Sequence, residues 1–121
     1  MKKNTILVVD DEELNLKLFQ NFLSREGYNV ILVQDSEDVI ETVKKKKPDA
    51  IIMDIIMPGV TGDIIASQLK TTKETKDIPI ILITADIMKE KDKLKADYFI
   101  RRPIIGDNLL SILNNIFNNK S

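Results

Sequence analysis

The stretch Ile6-Leu7-Val8-Val9-Asp10-Asp11-Glu12 decides the fold: four apolar residues give way abruptly to three acids. A strand with one wet face alternates apolar and polar side chains. An unbroken apolar run instead reads as a strand covered on both faces, as in a parallel sheet flanked by helices. The acids then mark the carboxyl end of that strand, where the chain leaves the sheet. From Glu13 to Ser24, Leu14, Leu18 and Phe22, and Phe19 and Leu23, recur at helical spacing. Gly27 stands where a glycine that ends a helix is expected.

The same unit repeats along the chain. Val30 to Val33 reads as a second strand, and Asp35 or Ser36 can cap a helix carrying Val39, Ile40 and Val43. Pro48 ends that helix, and Ala50 to Met53 makes a third strand. Pro58, Gly59 and Gly62 mark a turn before a helix with Ile64, Ile65 and Leu69. Ile80 to Ile83 is a fourth strand, followed by a short, heavily charged helix over Ile87 to Lys95 with little to bury. Tyr98-Phe99-Ile100 is a fifth strand, and Leu109, Leu110, Leu113, Ile116 and Phe117 form the apolar face of a terminal helix. The lysines at 44 to 47 read as a solvated helix end, where cations suit the negative end of the dipole. Parallel strands are joined by right-handed helical crossovers, which leaves few topologies. The expectation is a doubly wound, flavodoxin-like (βα)5 domain: a parallel five-stranded sheet in the order 2-1-3-4-5 with a shortened fourth helix.

The 121 residues suit one domain spanning 1–121, and 43% hydrophobic with 31% charged residues suits a folded one. A formal net charge of -1 gives no reason to expect attraction to nucleic acid or to an anionic membrane. There is neither cysteine nor histidine. Disulfides, Cys/His zinc sites and Ser-His-Asp or Cys-His catalytic units are therefore excluded. Chemistry must come from carboxylates, hydroxyls, Lys, Arg and Tyr. The apolar run near the amino terminus is too short for a signal-peptide core, and no run of about 18 apolar residues exists to span a membrane. A cytoplasmic location is the default that follows.

In a doubly wound sheet, ligands bind beyond the carboxyl ends of the strands, near the point where strand order reverses. Asp10-Asp11-Glu12 follow strand one, Asp54 follows strand three, Thr84 strand four and Arg101-Arg102-Pro103 strand five. Strands one and three are neighbours in the expected order, so Asp10, Asp11 and Asp54 should converge. Three carboxylates that close repel; they either take up protons or share a cation. An oxygen-only ligand set suits a hard divalent ion such as Mg2+ or Mn2+. A carboxylate beside such an ion can attack a phosphoryl group and form an acyl phosphate. Thr84 can donate to a phosphoryl oxygen, and Arg102 can neutralise remaining charge. Each feature also has a plainer reading: Asp10-Asp11 as acids at a helix start, Asp54 as a cap on the turn towards Pro58. Their joint placement on the strand ends of one fold is what makes them specific.

With these residues in view, the chain resembles the receiver domains of bacterial two-component response regulators, in their stand-alone single-domain type. The resemblance is carried by Ile6 to Glu12, by Pro48 to Asp54 with Met57-Pro58-Gly59, by Ile80 to Ala85, and by Arg102-Pro103. It implies that Asp54 is the phosphoacceptor and Asp11 a direct metal ligand. Asp10 then holds metal-bound water, and the backbone carbonyl of Ile56 is a further Mg2+ ligand. Thr84 matches the hydroxyl residue that reorients towards the phosphoryl group, and Phe99 the switch aromatic. Arg102 falls on the family's lysine, and Pro103 on a proline whose preceding peptide bond is typically cis. A histidine kinase or histidine phosphotransfer protein is the implied phosphodonor, and a downstream protein the implied receiver of the signal. The chain would not be an enzyme beyond assisting its own phosphorylation and dephosphorylation.

Two departures stand out. Arginine is bulkier, planar and permanently charged, so Arg102 for lysine is not conservative at a tight site. The interval from Thr84 to Arg102 is about one helical turn shorter than is usual in the family, judged at 3.6 residues per turn. Both motivate a second reading, a pseudo-receiver: an interaction module with weak or no phosphorylation-dependent switching. A free-standing aspartyl phosphatase is weaker, because Ile56 occupies the position where haloacid-dehalogenase enzymes carry a second acid. The glycines at 27, 59, 62 and 106 form neither GxGxxG nor a Walker loop.

Overall fold

The apolar runs form one sheet. In this computed structural model, β1 (Thr5–Val9), β2 (Asn29–Val33), β3 (Ala50–Asp54), β4 (Ile80–Thr84) and β5 (Tyr98–Arg101) pair in parallel in the order β2-β1-β3-β4-β5. The structure describes residues 3–84, 96–102, 104 and 106–118. The helix expected over Ile87 to Lys95, and Pro103, lie outside the described residues. The described α-helices are α1 (Glu13–Arg25), α2 (Val39–Lys46), α3 (Gly62–Thr71) and a C-terminal helix, Gly106–Asn118.

Strand pleating divides the apolar runs between two cores. Leu7, Val9, Ile51, Met53, Ile80 and Leu82 pack with Val39 and Val43 of α2 and Ile65, Ala66 and Leu69 of α3. The alternate residues Ile6, Val8, Ala50, Ile52, Ile81 and Ile83 pack with Leu16, Phe19 and Leu23 of α1 and Leu109, Leu113 and Ile116 of the C-terminal helix. Both faces of the three central strands are thus buried, which is why their sequences do not alternate.

Helix ends follow from local chemistry. After α1, Gly27 takes φ +93°, and the N–H of Tyr28 bonds back to the carbonyl of Leu23 while that of Gly27 bonds to Ser24. This glycine-centred closure satisfies carbonyls that the helix leaves open. Asp35 accepts from the Glu37 N–H and caps a 3-10 turn, Ser36–Asp38, ahead of α2. Lys44, Lys45 and Lys46 are exposed in the last turn of α2, as the solvated-end reading requires.

The apolar spacing in α1 misleads in one respect. The residues set against the sheet are Leu16, Phe19 and Leu23, whereas Leu14 and Leu18 are 68% and 58% exposed. Leu14-Leu18 and Leu16-Phe19-Leu23 both fit a 3.6-residue period. How the helix is rotated onto the sheet chooses between them.

Candidate functional site

Register brings the acids together. Val9 is paired with Met53, so one step further along β1 and β3 sets Asp10 against Asp54. The same parity places both beyond the sheet face that carries Ile6, Val8 and Ile52, the face covered by α1. Asp11 is half-buried, while Asp10 and Asp54 are only 1% and 8% exposed. One carboxylate oxygen from each of Asp10, Asp11 and Asp54 lies within 4.8 Å of the others, a grouping able to hold a metal ion. The convergence expected from the strand order is therefore present.

The plainer reading of these acids is true only in part. The position preceding α1 is Glu12, whose side chain makes no capping bond. Asp10 Oδ1 accepts the Glu12 N–H at 2.9 Å, a local turn that aims the carboxylate instead of capping the helix. Asp54 Oδ1 likewise accepts the Ile56 N–H, at 3.4 Å.

Arg102 reaches the site from the end of the edge strand β5. Its backbone N–H bonds to the Thr84 carbonyl at 3.0 Å, continuing the β4–β5 ladder for one more residue. Its guanidinium Nη2 pairs with Asp54 Oδ2. Burial pushes the Asp54 carboxyl above the ordinary carboxylate range, Arg102 pulls it back, and the nearby Asp10 charge pushes it up again. Thr84 is buried at the end of β4, whose residue Ile83 is the register partner of Asp54. Its parity is that of Leu82, the opposite face from Asp54, and it shares that face with Phe99. Ile56 lies two residues beyond Asp54 in an open loop, with its side chain 75% exposed.

Three polar side chains that strand-end reasoning missed support the acids or the loop that follows Asp54. Asn15 Nδ2 donates to Asp10 Oδ2 at 3.2 Å and to Glu12 Oε1 at 3.0 Å. Gln34 Nε2 donates to the Asp11 carbonyl at 3.1 Å, and buried Ser36 donates to the Pro58 carbonyl at 3.1 Å. Gln34 and Ser36 follow the carboxyl end of β2, so their position alone held a signal. Asn15 is inside a helix and gave none. Gly62 is equally tied to the site: a Cβ there would run into the Asp54 carbonyl oxygen and come within 2.9 Å of Ile55 Cα.

A family model of the response regulator receiver domain matches residues 6–114. The chain belongs to that family. The receiver domain is 32% identical over 104 residues to the polar-differentiation response regulator DivK of Brucella anthropi, covering 83% of this chain and 85% of that protein. It is similar in structure to a response regulator receiver domain protein from Clostridium thermocellum, with a TM-score of 0.86, 25% identity and coverage of 97% and 96%. A chemotaxis response regulator of Vibrio cholerae, CheY4, shares the fold at a TM-score of 0.87, with 23% identity and coverage of 96% and 100%. Among the described residues, no helix of the receiver domain is long and apolar enough to cross a membrane.

Proposed function

We propose that this receiver domain takes a phosphoryl group from a phosphohistidine partner onto Asp54. The observation that carries this reading is the meeting of Asp10, Asp11 and Asp54 in one cluster with Arg102 paired onto Asp54. A histidine kinase or histidine phosphotransfer protein supplies the group, and a downstream protein partner reads the result.

The donor set fits a hard divalent ion: three carboxylates and no nitrogen or sulfur ligand. Asp11, Asp54 and the carbonyl of Ile56 would hold Mg2+ or Mn2+ directly. Asp10, whose two oxygens already accept bonds from Glu12 and Asn15, suits the holding of metal-bound water. When bound, the ion draws charge from the phosphoryl oxygens and offsets the repulsion among the acids.

In the transfer, an Asp54 carboxylate oxygen attacks phosphorus. The O–P bond forms as the N–P bond of the phosphoimidazole breaks, and the imidazole leaves with the electron pair. Arg102 neutralises charge on the new acyl phosphate, and the Thr84 hydroxyl donates to a phosphoryl oxygen. Water later attacks phosphorus, releasing phosphate and restoring the carboxylate. Thr84 and Phe99 share one face, so a Thr84 that moves towards the phosphoryl group leaves room for Phe99 to follow. The domain assists its own phosphorylation and dephosphorylation and turns over no separate substrate.

The test is intact-mass measurement after incubation with acetyl phosphate and Mg2+. One phosphoryl adduct on wild type, absent from Asp54→Asn, is expected; an equal adduct on both rejects the assignment. The presence of Arg102 where the family has lysine favours one rival, an interaction module insensitive to phosphorylation. Partner binding unchanged by Asp54→Asn and by beryllofluoride would establish that rival.

A further inference from the structure

We propose that Asn15 is a positioning residue of the acidic site, holding the Asp10 carboxylate in the orientation that a divalent cation and its water require. The inference rests on the metal-binding reading above and adds to it a residue from inside α1.

Asp10 is almost fully buried, yet the partners its two oxygens have here are neutral donors. Oδ1 accepts the Glu12 N–H at 2.9 Å, and Oδ2 accepts the Asn15 amide at 3.2 Å. Together they fix rotation about the carboxyl bond, since each oxygen is held from a different direction. The same amide nitrogen donates to Glu12 Oε1 at 3.0 Å. Both partners are carboxylates and accept only, so the amide must present its nitrogen and not its oxygen.

Asn15 is the third residue of α1. Helical side chains lean towards the amino end of their helix, which lets this one reach back five positions to Asp10. Asn15 also lines, with Leu18, Phe22, Arg102 and Ile104, a cleft of about 340 Å³. It therefore links the acidic cluster to the cleft that Arg102 also lines.

The residue type matters. A lysine here would neutralise Asp10 and compete with the metal, and a fourth acid would add repulsion. An amide supplies a donor without adding charge. Each Asp10 oxygen keeps a further lone pair for metal-bound water. Partners that orient metal-site groups from outside typically shift metal affinity about 10- to 100-fold when removed.

The experiment is calorimetric titration of the full chain with Mg2+, and separately with Mn2+, for wild type, Asn15→Leu, Asn15→Ala and Asn15→Gln, with urea unfolding of each. Acetyl phosphate labelling of Asp54 is then followed against Mg2+ concentration. Asn15→Leu and Asn15→Ala should weaken both metals by about 10-fold or more. The half-saturating Mg2+ for labelling should rise in parallel, while the rate at saturating Mg2+ stays within about two-fold, the signature of lost metal binding with the chemical step intact. Asn15→Gln keeps the donor and should recover most of the affinity. Wild-type affinity in Asn15→Leu or Asn15→Ala, or failure of Asn15→Gln to recover any, overturns the role of Asn15 while leaving the site reading intact. A loss of affinity that follows a loss of folding across the three variants also overturns it. No Mg2+ binding by wild type removes the metal reading, and this inference with it.

Discussion

The guanidinium of Arg102, at the end of β5, is paired with the carboxylate of Asp54, at the end of β3, across the intervening strand β4. Forty-eight positions separate them in sequence. Two parallel registers bring them together: that of β3 on β4, which sets Ile52 beside Ile81 and Asp54 beside Ile83, and that of β4 on β5, which sets Thr84 beside Arg101. Asp54 is mostly covered while the Arg102 side chain stays 40% exposed. The pair therefore joins a carboxylate withdrawn from water to a cation that keeps much of its hydration.

Asp54 is expected to weaken the fold at neutral pH. Its carboxyl is raised by burial in the folded chain. The contribution of this group to stability is therefore greatest below the ordinary carboxylate value of about 4 and is lost as pH rises through the higher folded value. Asp54→Asn should unfold at higher urea than wild type at pH 7, with the gap closing below about pH 4. Arg102→Gln removes the partner that lowers Asp54, so its carboxyl carbon, followed by NMR, should titrate higher still. Asp54→Asn less stable than wild type at pH 7 would contradict this. Mg2+ at a hundred times its Kd should raise wild-type stability by about 2.7 kcal/mol, and Asp11→Asn should abolish most of that gain.

Gly62→Ala should both destabilise the domain and weaken metal binding. Gly62 is buried at the start of α3, where its N–H bonds to the Ile55 carbonyl at 2.8 Å. An added methyl meets backbone, which cannot step aside as a flexible side chain does. The cost should be about 1–3 kcal/mol by urea unfolding. Because the displaced backbone is that of Asp54 and Ile55, weaker Mg2+ binding should accompany it. A loss of stability with unaltered affinity would show that the loop relaxes away from the site.

Lys70 should prove a structural cation of α3. Its Nζ bonds to the carbonyls of Lys76 at 3.1 Å and Ile78 at 2.8 Å and lies 2.6 Å from Asp97 Oδ2. Asp97 in turn accepts the Ile80 N–H at 2.8 Å, tying the starts of β4 and β5 together. Lys70→Met should cost about 1 kcal/mol, the ordinary net worth of hydrogen bonds to acceptors that water can partly reach. Asp97→Asn keeps an acceptor for Ile80 and should cost less than Asp97→Ala. A double-mutant cycle reads the coupling, and a value near zero would reduce the contact to a surface pair.

Several layers of this protein were open to reading from residue order alone. Unbroken apolar runs such as Ile6 to Val9 and Ile80 to Ile83 declare burial on two faces, because a strand's period is local and needs no partner to define it. The handedness of crossovers, a rule that holds whatever the side chains, left few strand orders, and in the flavodoxin-like one Asp10, Asp11 and Asp54 meet.

Only the folded chain decided the rest. Two apolar stripes on α1 obey the same period, and the sheet chose Leu16, Phe19 and Leu23 over Leu14 and Leu18. The same rotation points Asn15 at Asp10, a contact that no pattern within Glu13 to Arg25 announces. The junction of Arg102 with Asp54 depends on two strand registers at once. Periodicity and strand-end placement are properties of short segments. Helix rotation and side-chain pairing across strands depend on how distant segments lock together, and that information exists only once they have packed.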